Sequence, residues 1–202
     1  MNDKTSGITL IGREPLSQGF VSLERLTVEQ TVPDGRTVTL QREVHDHGHG
    51  AAILLYDAAR RIVVLVRQFR AGAFAAGEPP FLLEVPAGLL EGDHPEEAIR
   101  REAIEETGFF VEQAHYLFDA FASPGTLTEK IAFFVAFVSA TDRVTNGGGL
   151  DDEHEFIEVV EVPLDEAFAM IRSGGIRDLK TVTLLQWAML NRAALDTCKV
   201  PE

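Results

Sequence analysis

Arg101-Glu102-Ala103-Ile104-Glu105-Glu106-Thr107-Gly108 places one basic and three acidic side chains around apolar residues at helical spacing. On a helix each residue advances about 100°, so Glu102 and Glu106 fall about 40° apart, with Glu105 about 60° away. Ile99 and Ala103 project beside Glu106, which sets this acidic flank at the margin of the buried stripe and not straight out into water. Carboxylates crowded at a core margin repel one another and lose hydration, which favours either raised pKa values or a bound cation. A hard divalent ion with oxygen ligands fits, and Mg²⁺ is the usual choice where phosphates complete its shell, with Mn²⁺ as an alternative. Arg101, four residues before Glu105, is placed to orient it. An isolated acidic run would more often be a solvated, salt-bridged face, so the flanking sequence has to carry the assignment.

Working outward, the helix is expected to start at Asp93 as the capping residue, with Pro95 in its first turn and Glu96 at the capping-box position. Gly108 ends it. Before it come Pro86-Ala87-Gly88 and a short strand, Phe81 to Val85. Two apolar runs, Ala51 to Tyr56 and Arg61 to Phe69, read as buried strands joined by Asp57-Ala58-Ala59-Arg60. Further strands are expected at Tyr116 to Ala122, Ile131 to Val138 and Phe156 to Val162, and helices at Leu164 to Arg172 and Lys180 to Leu195. That order of elements predicts an α/β fold with helices on both faces of a mixed sheet. Near the N-terminus, alternation through Leu26 to Val32, a turn at Pro33-Asp34-Gly35 and the run Thr37 to Leu40 predict a hairpin between Glu24 and Glu43. The division expected is a small antiparallel β module over 1–45 and the main domain over 46–198. His45 to Gly50 contains three histidines, but it joins two strands and has no partner cluster, so it reads as a connection and not a metal tract.

Composition narrows the class. In 202 residues there are 32 Asp and Glu against 18 Lys and Arg, a formal charge of −14 with no basic cluster to offset it. Nucleic acid is therefore an unsuitable partner. The single cysteine, Cys198, fits a reducing compartment, and no apolar run reaches the about 20 residues of a membrane span, so a cytoplasmic protein is expected.

The residues from Pro86 to Phe109 carry a resemblance. Pro86-Ala87-Gly88-Leu89-Leu90-Glu91-Gly92-Asp93, followed by Arg101 to Gly108 and Phe109, resembles the Nudix box, G-x5-E-x7-R-E-U-x-E-E-x-G-U, where U is a bulky aliphatic. Two positions depart from it. Counted back from Arg101, Asp93 stands at the first Glu and Ala87 at the first Gly, so the loop is one residue short. Ala103 is small where the box has a larger aliphatic. The Arg-Glu-x-x-Glu-Glu half is intact.

Outside the box the chain is similar to the ADP-ribose and nucleotide-sugar pyrophosphatase branch, and over roughly residues 40 to 190 to the bacterial GDP-mannose subfamily. That similarity rests on Ala87-Gly88-Leu89-Leu90, Ser123-Pro124-Gly125, Gly147-Gly148-Gly149 and Ile176 to Val182. The resemblance implies a Nudix α/β/α sandwich and hydrolysis of GDP-mannose to GMP and mannose 1-phosphate. The nearest alternative is ADP-ribose giving AMP and ribose 5-phosphate. A non-catalytic nucleotide-sugar sensor is the reading from another class, and it is disfavoured by the intact box. The resemblance further implies metal ligation by the carbonyl of Ala87 and by Glu102, Glu106 and Glu155, with Glu153 as the base that activates water. It implies substrate contacts from Arg70, Glu129, Lys180, Arg42 and Phe20, although Arg70 also suits a structural bridge to Glu84. Finally, it implies a homodimer that exchanges its N-terminal strands.

Overall fold

A computed structural model describes residues 7–150 and 156–201. They form two compact units, one of the residues up to His49 with Phe121–Lys130, the other of Gly50–Ala120 and the chain from Ile131 onward.

In the first unit, β1 (Ile8–Gln18), β2 (Ser22–Thr31) and β3 (Thr37–Asp46) make an antiparallel sheet in the order β1-β2-β3. The expected hairpin is β2–β3, closed between Thr31 and Thr37. Gly35 takes φ 84° in its turn, and the Asp34 carboxylate accepts from the Arg36 amide. β1 was not foreseen. Its pairing with β2 shifts register between Leu10 and Gly12 and again between Pro15 and Ser17. Each bulge interrupts the period-two pattern by which a strand is recognised. None of the residues described in these three strands is buried.

The second unit is built on a mixed sheet of seven strands. β4 (Gly50–Asp57) and β5 (Ile62–Phe69) are followed by the one-turn α1 (Ala71–Ala75), β6 (Phe81–Glu84) and β7 (Ala87–Leu89). Then come α2 (Pro95–Thr107), β8 (His115–Phe121), β9 (Lys130–Phe137), β10 (Glu158–Pro163), α3 (Leu164–Ser173), α4 (Leu179–Leu190) and α5 (Arg192–Leu195). The strand order is β10-β5-β4-β9-β8, with β6 on β5 and β7 on β4, and β4 runs parallel to β9. All eight residues of β4 are buried. Ala52, Leu54 and Tyr56 pack with Leu164, Leu184 and Leu185, and Ala51, Ile53 and Leu55 pack with Ile99 and Ala103 of α2. A strand covered on both faces reads as a continuous apolar run, which is why the sequence showed no alternation there. The result is the expected α/β/α sandwich.

Two helix boundaries correct the sequence reading. α2 begins at Pro95 with His94 as its capping residue and no side-chain cap, while Asp93 accepts from Arg101 Nη1 at 2.6 Å. The capping box is absent; Glu96 and Glu97 instead place negative charge at the positive end of the helix. The single helix expected from Lys180 to Leu195 is two, interrupted at Asn191, whose side-chain amide donates to the Trp187 carbonyl. Gly108 ends α2 in the left-handed conformation, φ 80°, as expected.

Candidate active site

The Glu102–Glu106 flank of α2 lies over β7. A Cβ on Gly88 would stand 2.3 Å from Glu102 Cδ, so glycine is required there for the carboxylate to lie against the strand. The Ala87 amide donates to Glu106 Oε2 at 3.1 Å, and Glu106 is 2% exposed. Ala87, Glu102 and Glu106, singled out from the sequence as metal ligands, are thus brought together. Ala103, the small residue of the box, is fully buried under the sheet, where a larger aliphatic would need added volume.

Arg101 behaves differently from expectation. Its guanidinium bonds Asp93 and lies 3.7 Å from Glu102, and it acts on Glu105 only through space. The hydrogen bond to Asp93, released from capping by the later start of α2, holds its pKa above the ordinary value.

This donor set is all oxygen, which suits a hard divalent cation. Among the described residues no cluster of three or more His, Cys, Asp or Glu is gathered tightly enough to hold a metal by itself. Glu153 and Glu155 lie outside the described residues.

The chain leads toward them through Gly147-Gly148-Gly149, one of the stretches that carry the resemblance. The amides of Gly148 and Gly149 donate to the Glu106 and Glu105 carbonyls at 2.9 and 3.1 Å, satisfying two of the acceptors that a helix end leaves open. A Cβ on Gly147, at φ 65°, would meet the Thr107 carbonyl carbon at 2.5 Å. Only glycine allows this backbone to lie against the end of α2.

A second constellation centres on Glu84, which is 1% exposed. Arg70 grips it with two bonds, Nε to Oε1 at 2.9 Å and Nη2 to Oε2 at 2.8 Å. Lys180 Nζ donates to the same carboxylate at 2.5 Å and to Asp178 at 2.9 Å. Asp178 caps α4 by accepting from the Thr181 amide and hydroxyl, and the Val85 amide donates to that hydroxyl, tying the exit of β6 to the start of α4. Burial alone would push the Glu84 carboxyl up, but the hydrogen bonds from Arg70 and the charges of Lys180 and Arg70 outweigh it and hold the group below the ordinary carboxylate range. The structural bridge open to Arg70 in the sequence is therefore formed. It uses the Nε–Nη2 edge; Nη1 makes no hydrogen bond among the described residues, and the side chain is 39% exposed. Glu84 is foreseen in the sequence only as a bridging partner for Arg70; its sharing by Lys180, and the cap that Asp178 supplies to α4, carry no local pattern and were not foreseen.

In the first unit, Phe20 is 88% exposed at the turn between β1 and β2, which rules out a core role within this unit. Arg42 lies on β3 and donates to the Gln41 carbonyl. Glu129 stands 3.5 Å from His47 Nε2. The histidine tract is more than a connection. It holds the 121–130 segment through His45 N to Thr126 O, Thr128 N to His45 O, Thr128 Oγ1 to Asp46 and Lys130 N to His49 Nδ1.

Residues 46–184, more than half of the chain, match the family described as NUDIX domain, and the chain belongs to that family. Its similarity to particular members extends further. It is 46% identical over 188 residues to a GDP-mannose pyrophosphatase of Escherichia coli O157:H7, covering 93% of this chain and 97% of that protein. The identity is 47% over 184 residues to the protein of the same description from Escherichia coli strain SMS-3-5, covering 91% and 95%, and 46% over 188 residues to that of Shigella flexneri serotype 5b.

Proposed function

We propose that this Nudix hydrolase splits the diphosphate of a nucleoside diphosphate sugar, with GDP-mannose giving GMP and mannose 1-phosphate. The observation that carries the reading is the gathering of Glu102, Glu106 and Ala87 over β7, in a chain similar over nearly its whole length to GDP-mannose pyrophosphatases. Ala87, Glu102, Glu106 and Glu155 would hold Mg²⁺, with Mn²⁺ able to replace it. When bound, the cation neutralises charge on the diphosphate oxygens and lowers the pKa of attacking water.

The chain's own residues supply the rest. Glu153 takes the proton from water, with Glu155 beside it in the same acidic run. Arg101 keeps its positive charge among Glu102, Glu105 and Asp93, and so limits their mutual repulsion. Arg70 retains Nη1 for a phosphate oxygen while Glu84 fixes the plane of its guanidinium, and Lys180 adds a second cation from the start of α4. Arg42, Glu129 and the ring of Phe20 contact the nucleoside and sugar, the exposed ring offering a stacking face. The test is a panel of nucleotide sugars and dinucleotides, ADP-ribose included, incubated with Mg²⁺. GDP-mannose should give the highest kcat/KM with GMP released; a higher value for ADP-ribose would reassign the substrate.

The protein functions as a homodimer in the cytoplasm. Supporting the dimer, Ile8, Leu10 and Ile11 of β1 are exposed in a sheet that holds no buried side chain among its described residues, and such a thin sheet gains its stability from another copy's strands. Light scattering at micromolar concentration should give twice the chain mass, and a monomer there contradicts the strand exchange.

A further inference from the structure

Gln68, near the end of β5, is 7% exposed, and its side-chain nitrogen is buried without a hydrogen-bond partner among the described residues. A buried amide left unpaired costs about 1–3 kcal/mol, so an apolar residue of the same shape would be preferred there on stability alone.

Strand alternation fixes the side on which Gln68 stands. Val64 packs in the cluster of Ile99 and Ala103 from α2, and Val159, which pairs with Val66 across β10, packs against that same cluster. Gln68 follows two residues later, on the α2 side of the sheet. Glu84, the partner of Val66 on β6, shares that side.

Position along the strand follows from a chain of bonds. Glu158 pairs with Arg67, and the preceding residue, Ile157, donates to the Gly148 carbonyl. The Gly148 amide in turn donates to the Glu106 carbonyl. The Gln68 end of β5 therefore lies toward the C-terminal turn of α2, on the side that carries Glu106, and two residues before Arg70.

We infer that Gln68 is a substrate-binding residue whose side-chain amide donates to an anionic oxygen of the bound diphosphate. The inference rests on the diphosphate-hydrolase reading and adds to it a neutral donor. An amide adds no further charge to the Arg70–Glu84–Lys180 balance, and it takes its missing acceptor from the ligand. The energetic pattern is that of a binding group, in which the free protein tolerates an unsatisfied donor that the complex satisfies.

Gln68→Met tests this, since it keeps length and volume and removes both polar atoms. The expected result is a melting temperature of the free protein equal to or above wild type. Affinity for GDP with Mg²⁺, by calorimetry, should fall roughly ten- to hundredfold, the range of a hydrogen bond to a charged acceptor, with kcat/KM for GDP-mannose falling in parallel. Gln68→Glu, which turns the donor into an anion of similar size, should weaken GDP binding further. Unchanged GDP affinity in Gln68→Met overturns the inference whatever happens to stability: a lower melting temperature would mark a purely structural amide, and an unchanged one a group satisfied by water alone. Wild-type protein that neither binds GDP nor hydrolyses any nucleotide sugar defeats the diphosphate reading itself, an outcome distinct from a working wild type with an unaffected variant.

Discussion

Glu106→Gln is expected to lower kcat for GDP-mannose by about three orders of magnitude while the folded state loses little or no stability. The side chain is 2% exposed, and one of its oxygens accepts the Ala87 amide. Glutamine keeps the volume and an acceptor for that amide, so packing and the β7 hydrogen bond persist. What disappears is the negative charge. Glu102 and Glu105 share its flank, so neutralising Glu106 relieves repulsion on α2, although it also removes one anion whose field acts on Arg70. These effects oppose each other, whereas loss of a charged oxygen ligand has no compensation in the reaction. Melting curves with Mg²⁺ and with a chelator separate the two roles. Wild type should gain stability from the cation and the variant should gain little. Turnover within tenfold of wild type at saturating Mg²⁺ would remove Glu106 from the metal site.

Parts of this architecture that depend on local pattern were legible in the sequence. β4 and β5 announced themselves as apolar runs, and α2 ended at the glycine that its left-handed terminus requires. Features set by tertiary competition were not. Asp93 is a suitable capping residue by type, yet Arg101 two turns away claims its carboxylate and the helix starts later. β1 was hidden by bulges that break its alternation. Helical spacing was sufficient to place Glu102 and Glu106 at the core margin. It could not reveal that Gly88 makes room for one and the Ala87 amide holds the other, because those contacts cross from strand to helix. The Glu84 node was legible only in part, through the bridge to Arg70 and not through Lys180. Its partners lie 14 and 96 residues away, and a lone glutamate at the end of a short strand has no periodicity that marks it as buried.

That node gives the largest expected effect on stability. Glu84→Gln should destabilise the protein by about 2–4 kcal/mol at pH 7, because Arg70 and Lys180 lose their shared anion while remaining largely enclosed. The figure lies below the loss for a fully buried pair, since the Arg70 side chain is 39% exposed and water can take up part of its charge. Asp178 still holds Lys180 Nζ, which limits the loss further. The sign of the pH dependence follows from the depressed Glu84 pKa. A carboxyl held lower in the folded than in the unfolded state contributes stability above the unfolded value, about 4.3, and that stability is lost as pH falls toward the folded value. Urea midpoints should therefore differ most between wild type and variant near neutral pH, and the gap should narrow below about pH 4 as the unfolded wild type takes up the proton. A gap that stayed constant through that range would mean that the variant acts by altered packing and not by removal of charge. Activity should fall as well, since Glu84 fixes the guanidinium plane from which Arg70 presents Nη1. Loss of that orientation should raise KM for GDP-mannose more than it lowers kcat, because phosphate binding in the ground state depends on it directly.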